Sequence, residues 1–230
     1  MNRIDCFVPF VSDEQVAVTA ANLRAESEVA KVEFLDAAIF KSTTGIRKIA
    51  ESAAAPFTMI YTKTTELSFG QFALERFLSI AEDSSAAMVY ADHFNEVDGN
   101  RAFAPVIDCQ EGALRDDFDF GSVLIYRTSA LKEAVARMDV DYEYAGLYDL
   151  RLKVSQRGSL VHINEYLYYE IETDTRKSGE KLFDYVDPKN RAVQIGAQIA
   201  SDDFLLHAEQ NFGCDFWEVK VGSLYGRYLT

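Results

Sequence analysis

Phe57-Thr-Met-Ile-Tyr61 and Ala86-Ala-Met-Val-Tyr-Ala91 are short apolar runs with almost no polar position on either alternating face. A strand of that kind belongs inside a sheet covered on both sides. Toward the N-terminus, Ile4-Asp-Cys-Phe-Val-Pro-Phe10 and Val32-Glu-Phe-Leu-Asp-Ala37 read as two more strands. Segments of helical length separate them. The first opens at Ser12, whose spacing to Gln15 predicts a capping box, and runs to about Glu28. The second spans Thr44 to Ala54. The third is expected to open on a further capping box, Ser68 with Gln71, with Phe69, Phe72, Phe77 and Ile80 near helical spacing. This β-α-β-α-β-α-β order predicts an α/β fold whose central sheet is mostly parallel, with helices on both faces.

After Asp92 the pattern changes. Val97-Asp-Gly-Asn-Arg101 reads as a hairpin turn and Phe120-Gly-Ser-Val-Leu-Ile-Tyr126 as a strand feeding a helix over Thr128 to Met138. Residues 147–157 suggest another helix, 159–171 strands, and 189–210 a C-terminal helix. The expected organisation is one domain over 1–212, divided near residue 92 into a first half and a second half of about 93–188. Residues 213–230 form a tail without a recognisable role.

Charge narrows the partners. Asp plus Glu is 37 against 23 Lys plus Arg, a formal charge of −14, and no window gathers the basic face that nucleic acid or an anionic membrane requires. The apolar stretch Ile4 to Val11 is far shorter than the roughly 20 residues that span a bilayer, so no signal peptide or anchor is expected. Cys6, Cys109 and Cys214 are odd in number and widely spaced, which signals neither a disulfide framework nor a zinc site. A reducing cytoplasmic setting fits these thiols.

Gly-x-Gly-x-x-Gly, the P-loop, His-Glu-x-x-His and Gly-x-Ser-x-Gly are all absent, and His93, His162 and His207 are the only histidines. Chemistry therefore rests on carboxylates. Asp116-Asp117-Phe-Asp119 places carboxylates at alternate positions of an extended segment, where they could share a cation or form part of a solvated acidic loop. Asp92-His93 ends a strand, at the edge where open parallel sheets bind ligands, and is a weak metal candidate as well as a turn candidate. The tyrosines Tyr142, Tyr144, Tyr148, Tyr166, Tyr168 and Tyr169 suit either sugar stacking or core packing.

Taken in order from Ile4 to Arg176, the segments resemble a family 2 glycosyltransferase of GT-A fold. Val8-Pro9-Phe10 is similar to that family's first strand, Phe34-Leu-Asp36 to the second, and Ser42-Thr-Thr-Gly45 to the opening of the next helix. Phe72-Ala-Leu-Glu-Arg-Phe77 and Met88-Val-Tyr-Ala-Asp92 keep the register. Gly121-Ser-Val-Leu-Ile-Tyr-Arg127 is similar to the acceptor-side strand, and Ala145-Gly-Leu-Tyr-Asp-Leu-Arg-Leu152 to the helix start that carries the catalytic base. The family's Asp-x-Asp, which holds Mn or Mg against the donor diphosphate, is replaced here by Thr62-Lys63-Thr64.

The resemblance implies an inverting transfer of a sugar from a nucleotide-sugar to a hydroxyl of a sugar or glycan, in polysaccharide assembly. Asp149 is the implied base. Its alternative role is to favour the helix dipole from the first turn. Pro9, Asp36, Thr62, Lys63, Thr64, Asp92 and Arg176 fall on the donor side, and Asp117, Asp119 and Tyr148 on the acceptor side. Lys63, with Arg176-Lys177, could meet the diphosphate as a point charge where the metal carboxylates are missing. The alternative is a degenerate domain that binds a sugar nucleotide or a protein partner without turnover.

Overall fold

In the computed structural model, β1 (Ile4–Phe10) lies between β2 (Val29–Asp36) and β3 (Phe57–Tyr61) and runs parallel to both. Residues 3–97, 99–110, 113–115, 118–171, 199–200, 216–221 and 224–229 are described. The sheet continues through β8 (Val123–Arg127), β5 (Met88–Val97), β9 (Leu160–Ile171) and β4 (Leu67–Phe69), giving the order β2-β1-β3-β8-β5-β9-β4. β8 is antiparallel to β3 and β5, and β4 is antiparallel to β9. Because β5 and β9 are parallel to each other, β1, β2, β3, β5 and β9 all point the same way. The C-terminal ends of these five strands form one edge.

Each face of the sheet is covered, as the two-sided apolar strands require. α1 (Asp13–Ala25) and α4 (Ala73–Asp83) press Leu23, Leu74, Phe77 and Leu78 onto Cys6, Val8, Met59 and Ile125. On the other face α3 (Thr43–Ser52), α5 (Thr128–Val135) and α6 (Gly146–Ser155) bring Ile46, Ile49, Leu131, Leu150 and Val154 to Phe7, Ile60, Tyr90 and Leu124. The short α2 (Ala37–Phe40) precedes α3 and buries Phe40. Polar groups caught in these layers are matched. Asp5, 2% exposed, accepts from the backbone N–H of Ala54 at 2.7 Å and of Ala55 at 2.9 Å, and so fixes the chain just before β3.

Two expectations are corrected. Ser68 and Gln71 form no capping box, because Ser68 lies inside β4 opposite Tyr169. α4 starts five residues later, at Ala73, after Phe72 in a left-handed conformation (φ 61°) with no side-chain cap. Pairing with β9 outweighs the local capping signal. Residues 160–171 form one strand, with register irregularities where it pairs with β5 around Asp92. The hairpin expected at 97–101 is present, with β6 (Asn100–Ala104) paired to β5 and Gly99 at φ 76°.

β10 (Phe216–Val221) and β11 (Leu224–Leu229) form a hairpin that pairs with β7 (Ala113–Arg115) in a second sheet, which places part of the tail. Of the expected helix over 189–210, only 199–200 are described, and they are helical. Among the described residues no helix is long and apolar enough to cross a membrane.

Candidate functional site

At the edge formed by the strand C-termini, Pro9 of β1, Ala37, Phe40 and Lys41 around α2, and Thr62, Lys63, Thr64 and Thr65 after β3 line a cavity of about 410 Å³. Open α/β sheets bind ligands at this edge. The turn that carries Lys63 is fixed at both ends. Thr62 N–H donates to the Ser122 carbonyl at 2.9 Å, and the Tyr61 and Thr65 hydroxyls are 3.0 Å apart. Two larger hollows, of about 660 Å³ between α3 and α5 and about 570 Å³ beside β2 and α3, lie over helix surfaces and mix charges of both signs.

Beneath the cavity is a buried polar cluster. The Lys63 ammonium pairs with the carboxylate of Glu170, which is fully buried and also accepts from the Ser122 hydroxyl. His93 Nε2 lies 3.4 Å from the same carboxylate, and the His93 ring stacks on Tyr168 at 5.0 Å. Burial pushes the His93 pKa down, against the attraction of Glu170, so the ring is neutral at physiological pH. The Tyr168 hydroxyl accepts from Ser122 N–H at 3.0 Å. Gly121, at φ 72°, makes room for it, since a Cβ there would lie 2.4 Å from the Tyr168 oxygen.

α6 packs against the turn that follows α2. Leu147 N–H donates to the Lys41 carbonyl at 3.1 Å, and a Cβ on Gly146 would come within 2.3 Å of Thr43 N. Four residues beyond Leu147 on the same helix face is Arg151. Its guanidinium lies 4.9 Å from the Phe120 ring centroid and 5.6 Å from that of Tyr148, and donates to the Phe118 carbonyl at 3.3 Å. Arg151 Nε is buried without a partner. Lys41 is exposed by area, yet its ammonium is crowded: desolvation first, then repulsion from Arg151 and Lys63, lowers its pKa.

The remaining residues singled out in the sequence are dispersed. Asp36 caps α2, accepting from Ala38 N–H at 2.9 Å, and faces the hollow beside β2. Asp92 and His93 do not converge. Asp92 accepts from Val106 N–H and pairs with His162 Nε2, both at 2.9 Å, while His93 lies on Tyr168, because neighbours in a strand point to opposite faces. Asp149, 1% exposed, pairs with Lys153 at 2.6 Å. Tyr148 is buried beside Tyr142, Ala145 and Leu152. Asp119 accepts from Gly121 N–H at 2.8 Å, a turn-forming bond. Asp117, Arg176 and Lys177 lie outside the described residues.

The residues at this edge do not fit a divalent cation. Thr62, Lys63 and Thr64 occupy the place of the acidic motif, the nearby buried carboxylate is engaged by Lys63, and among the described residues no three His, Cys, Asp or Glu side chains are grouped to hold a metal. Lys41, which lines the cavity, was not singled out in the sequence.

No family model and no curated protein sequence matches the chain. Among solved structures it is similar to S. aureus TarS 1–349, with a TM-score of 0.52 and 10% identity over 74% of this chain and 60% of that one. It is also similar to TarS 1–349 in complex with UDP (TM-score 0.51, 11% identity, 90% of this chain and 72% of that one) and with UDP-GlcNAc (0.50, 12%, 91% and 73%). The fold is of the GT-A type. The likeness is one of fold, and in the first of these pairs the chain spans about three fifths of the TarS structure. The sheet edge with Pro9 and Lys63 is thus the C-terminal edge of a GT-A sheet.

Proposed function

We propose that this chain is a nucleotide-sugar-dependent glycosyltransferase domain of family 2 type, acting on a sugar or glycan hydroxyl and meeting the donor diphosphate with cationic side chains. The observation that carries this reading is the cavity at the strand C-termini, where Lys63 stands among Pro9, Thr62 and Thr64. Its support from outside the chain is that the similar TarS structures include complexes with UDP and UDP-GlcNAc.

In the inverting reaction the acceptor oxygen attacks the anomeric carbon as its proton passes to a base, and the bond from that carbon to the diphosphate oxygen breaks. The charge gathering on the departing diphosphate needs fixed positive groups close by. Lys63 supplies one. Asp149 is the proposed base, positioned in the first turn of α6 and held by Lys153.

A second reading has its own observation. Asp149 is 1% exposed and tied to Lys153, the arrangement of a structural ion pair, which favours a domain that binds the donor without turning it over.

Thermal stability measured with UDP, UDP-GlcNAc and other sugar nucleotides, in EDTA and in manganese, tests the first step, since a ligand raises apparent stability by mass action. Stabilisation in EDTA is expected. If none of the ligands stabilises the protein, the donor reading falls, and stabilisation only with manganese removes the role given to Lys63. Asp149→Asn then separates the two readings: it should reduce transfer or donor hydrolysis by about two orders of magnitude or more with donor binding retained. Undiminished turnover excludes Asp149 as the base, and wild-type protein that binds but never turns over supports the second reading.

A further inference from the structure

We infer that the β5–β6 hairpin and the end of β9 carry a second ligand site, an aromatic platform of Phe94, Phe103, Tyr166 and Tyr169 edged by Arg101 and Glu96, on which an uncharged saccharide chain stacks. This deepens the transferase reading above by giving the acceptor chain a place, and rests on that reading for the saccharide's part in transfer, though not for saccharide binding itself.

The first argument is how the platform is built. Phe94 of β5 lies opposite both Phe103 of β6 and Tyr169 of β9, so the pleat sets the three side chains on one face. Tyr166, three residues before Tyr169, would ordinarily point to the other face. The irregularity in β9 prevents this: Tyr166 pairs with Asp92 while Tyr168 pairs with His93, and the extra residue between them returns Tyr166 to the side of Phe94. The Phe94 ring centroid is 5.0 Å from those of Tyr166 and Tyr169 and 5.3 Å from that of Phe103, and Phe103 is 5.0 Å from Tyr166. Each ring is held by its neighbours, which leaves a ligand little side-chain freedom to remove.

The second argument is what the face offers. Phe103 is 72% exposed, on a strand that pairs with β5 alone among the described residues. Ring faces carry negative charge density, which attracts the C–H groups on one side of a pyranose. Beside the rings, the Arg101 guanidinium lies 4.5 Å from the Tyr169 centroid, and its Nε is 3.3 Å from the Glu96 carboxylate. The pair sets planar donors next to acceptors, matching hydroxyls, each of which both donates and accepts. Arg101 is two residues from Phe103 on the same face, about 7 Å along the strand, within reach of the hydroxyls of a sugar stacked on that ring. Because the pair carries no net charge and the chain as a whole carries −14, the complementary ligand is uncharged and rich in hydroxyls.

The third argument is position. In β5, His93 lies 3.4 Å from Glu170, which pairs with Lys63 at the cavity, and the next residue, Phe94, belongs to the platform. In β9, Tyr169 belongs to the platform and the next residue is Glu170 itself. The same two strand ends therefore serve the cavity with one face and the platform with the other. A saccharide of several units can lie on the platform and present its terminal hydroxyl at the sheet edge, which a single sugar cannot do, so the acceptor is an oligosaccharide rather than a monosaccharide.

Titration calorimetry of the full chain with neutral hexasaccharides of β-1,4-glucose, α-1,4-glucose and β-1,4-N-acetylglucosamine, their monosaccharides and UDP tests the inference on wild type, Phe103→Ala and Phe72→Ala. Phe103 is exposed, so Phe103→Ala should fold normally, and Phe72, 67% exposed and outside the platform, is the control for loss of a surface ring. At least one hexasaccharide is expected to bind, about tenfold or more tighter than its monosaccharide, and Phe103→Ala should weaken it about tenfold while Phe72→Ala does not. The affinity for UDP should be the same in all three proteins. No binding of any hexasaccharide, equal binding by wild type and Phe103→Ala, or an equal loss in Phe72→Ala overturns the platform. So does a wild-type dimer in sedimentation velocity that Phe103→Ala dissolves, which would give the face to a second copy of the chain. The two readings fail separately. If a hexasaccharide binds in a Phe103-dependent way but no sugar nucleotide binds, the platform stands and the transferase reading falls, whereas sugar-nucleotide binding without hexasaccharide binding overturns the platform alone.

Discussion

Gly146→Ala tests the contact that seats α6 on the 41–43 turn. In an ordinary helix this change stabilises, by up to about 1 kcal/mol. Here the new methyl would lie 2.3 Å from Thr43 N, 2.4 Å from the Ser42 carbonyl carbon and 2.9 Å from the Lys41 oxygen, all backbone atoms that cannot turn aside. That backbone is itself fixed. Ser42 Oγ accepts from Gly45 N–H at 3.1 Å, and Thr43 N–H donates to the Tyr142 carbonyl at 2.9 Å. Overpacking of this kind costs about 1–3 kcal/mol, and moving the helix away also loses bonds such as Leu147 N–H to Lys41 O, each about 1 kcal/mol. Set against the helix-propensity gain, the net expectation is about 2–4 kcal/mol of destabilisation, or roughly 5–15 °C in melting temperature for a chain of this size. Urea and thermal unfolding should be compared with Gly99→Ala, a site with φ 76° and no atom within 4 Å of the added carbon, where only backbone strain of about 1–2 kcal/mol applies. A Gly146→Ala protein as stable as wild type, or more stable than Gly99→Ala, would refute the close-approach argument.

Asp5→Ala leaves the Ala54 and Ala55 N–H groups without their acceptor in a buried site, and should lower unfolding free energy by about 2–4 kcal/mol in urea; a loss below about 0.5 kcal/mol would contradict the role assigned to this carboxylate. His93 titrates lower in the folded protein than its ordinary value of 6.5, so its contribution to stability is complete above that pH and is lost as pH falls through the folded value. His93→Phe should therefore show a shallower decline in stability between about pH 7 and about pH 5 than wild type, and identical slopes would remove His93 as the source. The net charge of −14 repels an anionic ligand at long range, so the association rate for UDP in stopped flow should stay level or rise as salt is added, while dissociation quickens as local contacts are screened. A steep fall in association rate with salt would mean that a positive field extends well beyond the cavity.

The strands were legible because two-sided apolar runs have one stable location, inside a covered sheet. Phe57–Tyr61 forms β3 with the expected bounds, and the second strand, Val29–Asp36, starts three residues before the expected Val32 and ends one residue before the expected Ala37, which opens α2. The failure at Ser68 is equally physical. A capping box is a local pattern with a value of about 1 kcal/mol, and Leu67–Phe69 instead pairs with β9, about a hundred residues away in sequence. No local signal announces that partner.

The site divides in the same way. Pro9, Thr62, Lys63 and Thr64 fall together because each stands at the C-terminal end of a strand, and strand ends converge whenever the strands are parallel. Asp92 with His93 looked like a pair because the two are adjacent, but adjacency in an extended chain separates side chains, and each has found other partners. Lys41 was hidden for another reason. It meets Lys63 only because α2 leaves the end of β2 and the 62–65 turn leaves the end of β3 at the same edge of the sheet. Both strands flank β1 and run parallel to it, so the segments that follow them must converge beyond Pro9. Which side chains meet there is decided by the order of the strands in the sheet, a property that no local pattern around residue 41 or residue 63 carries.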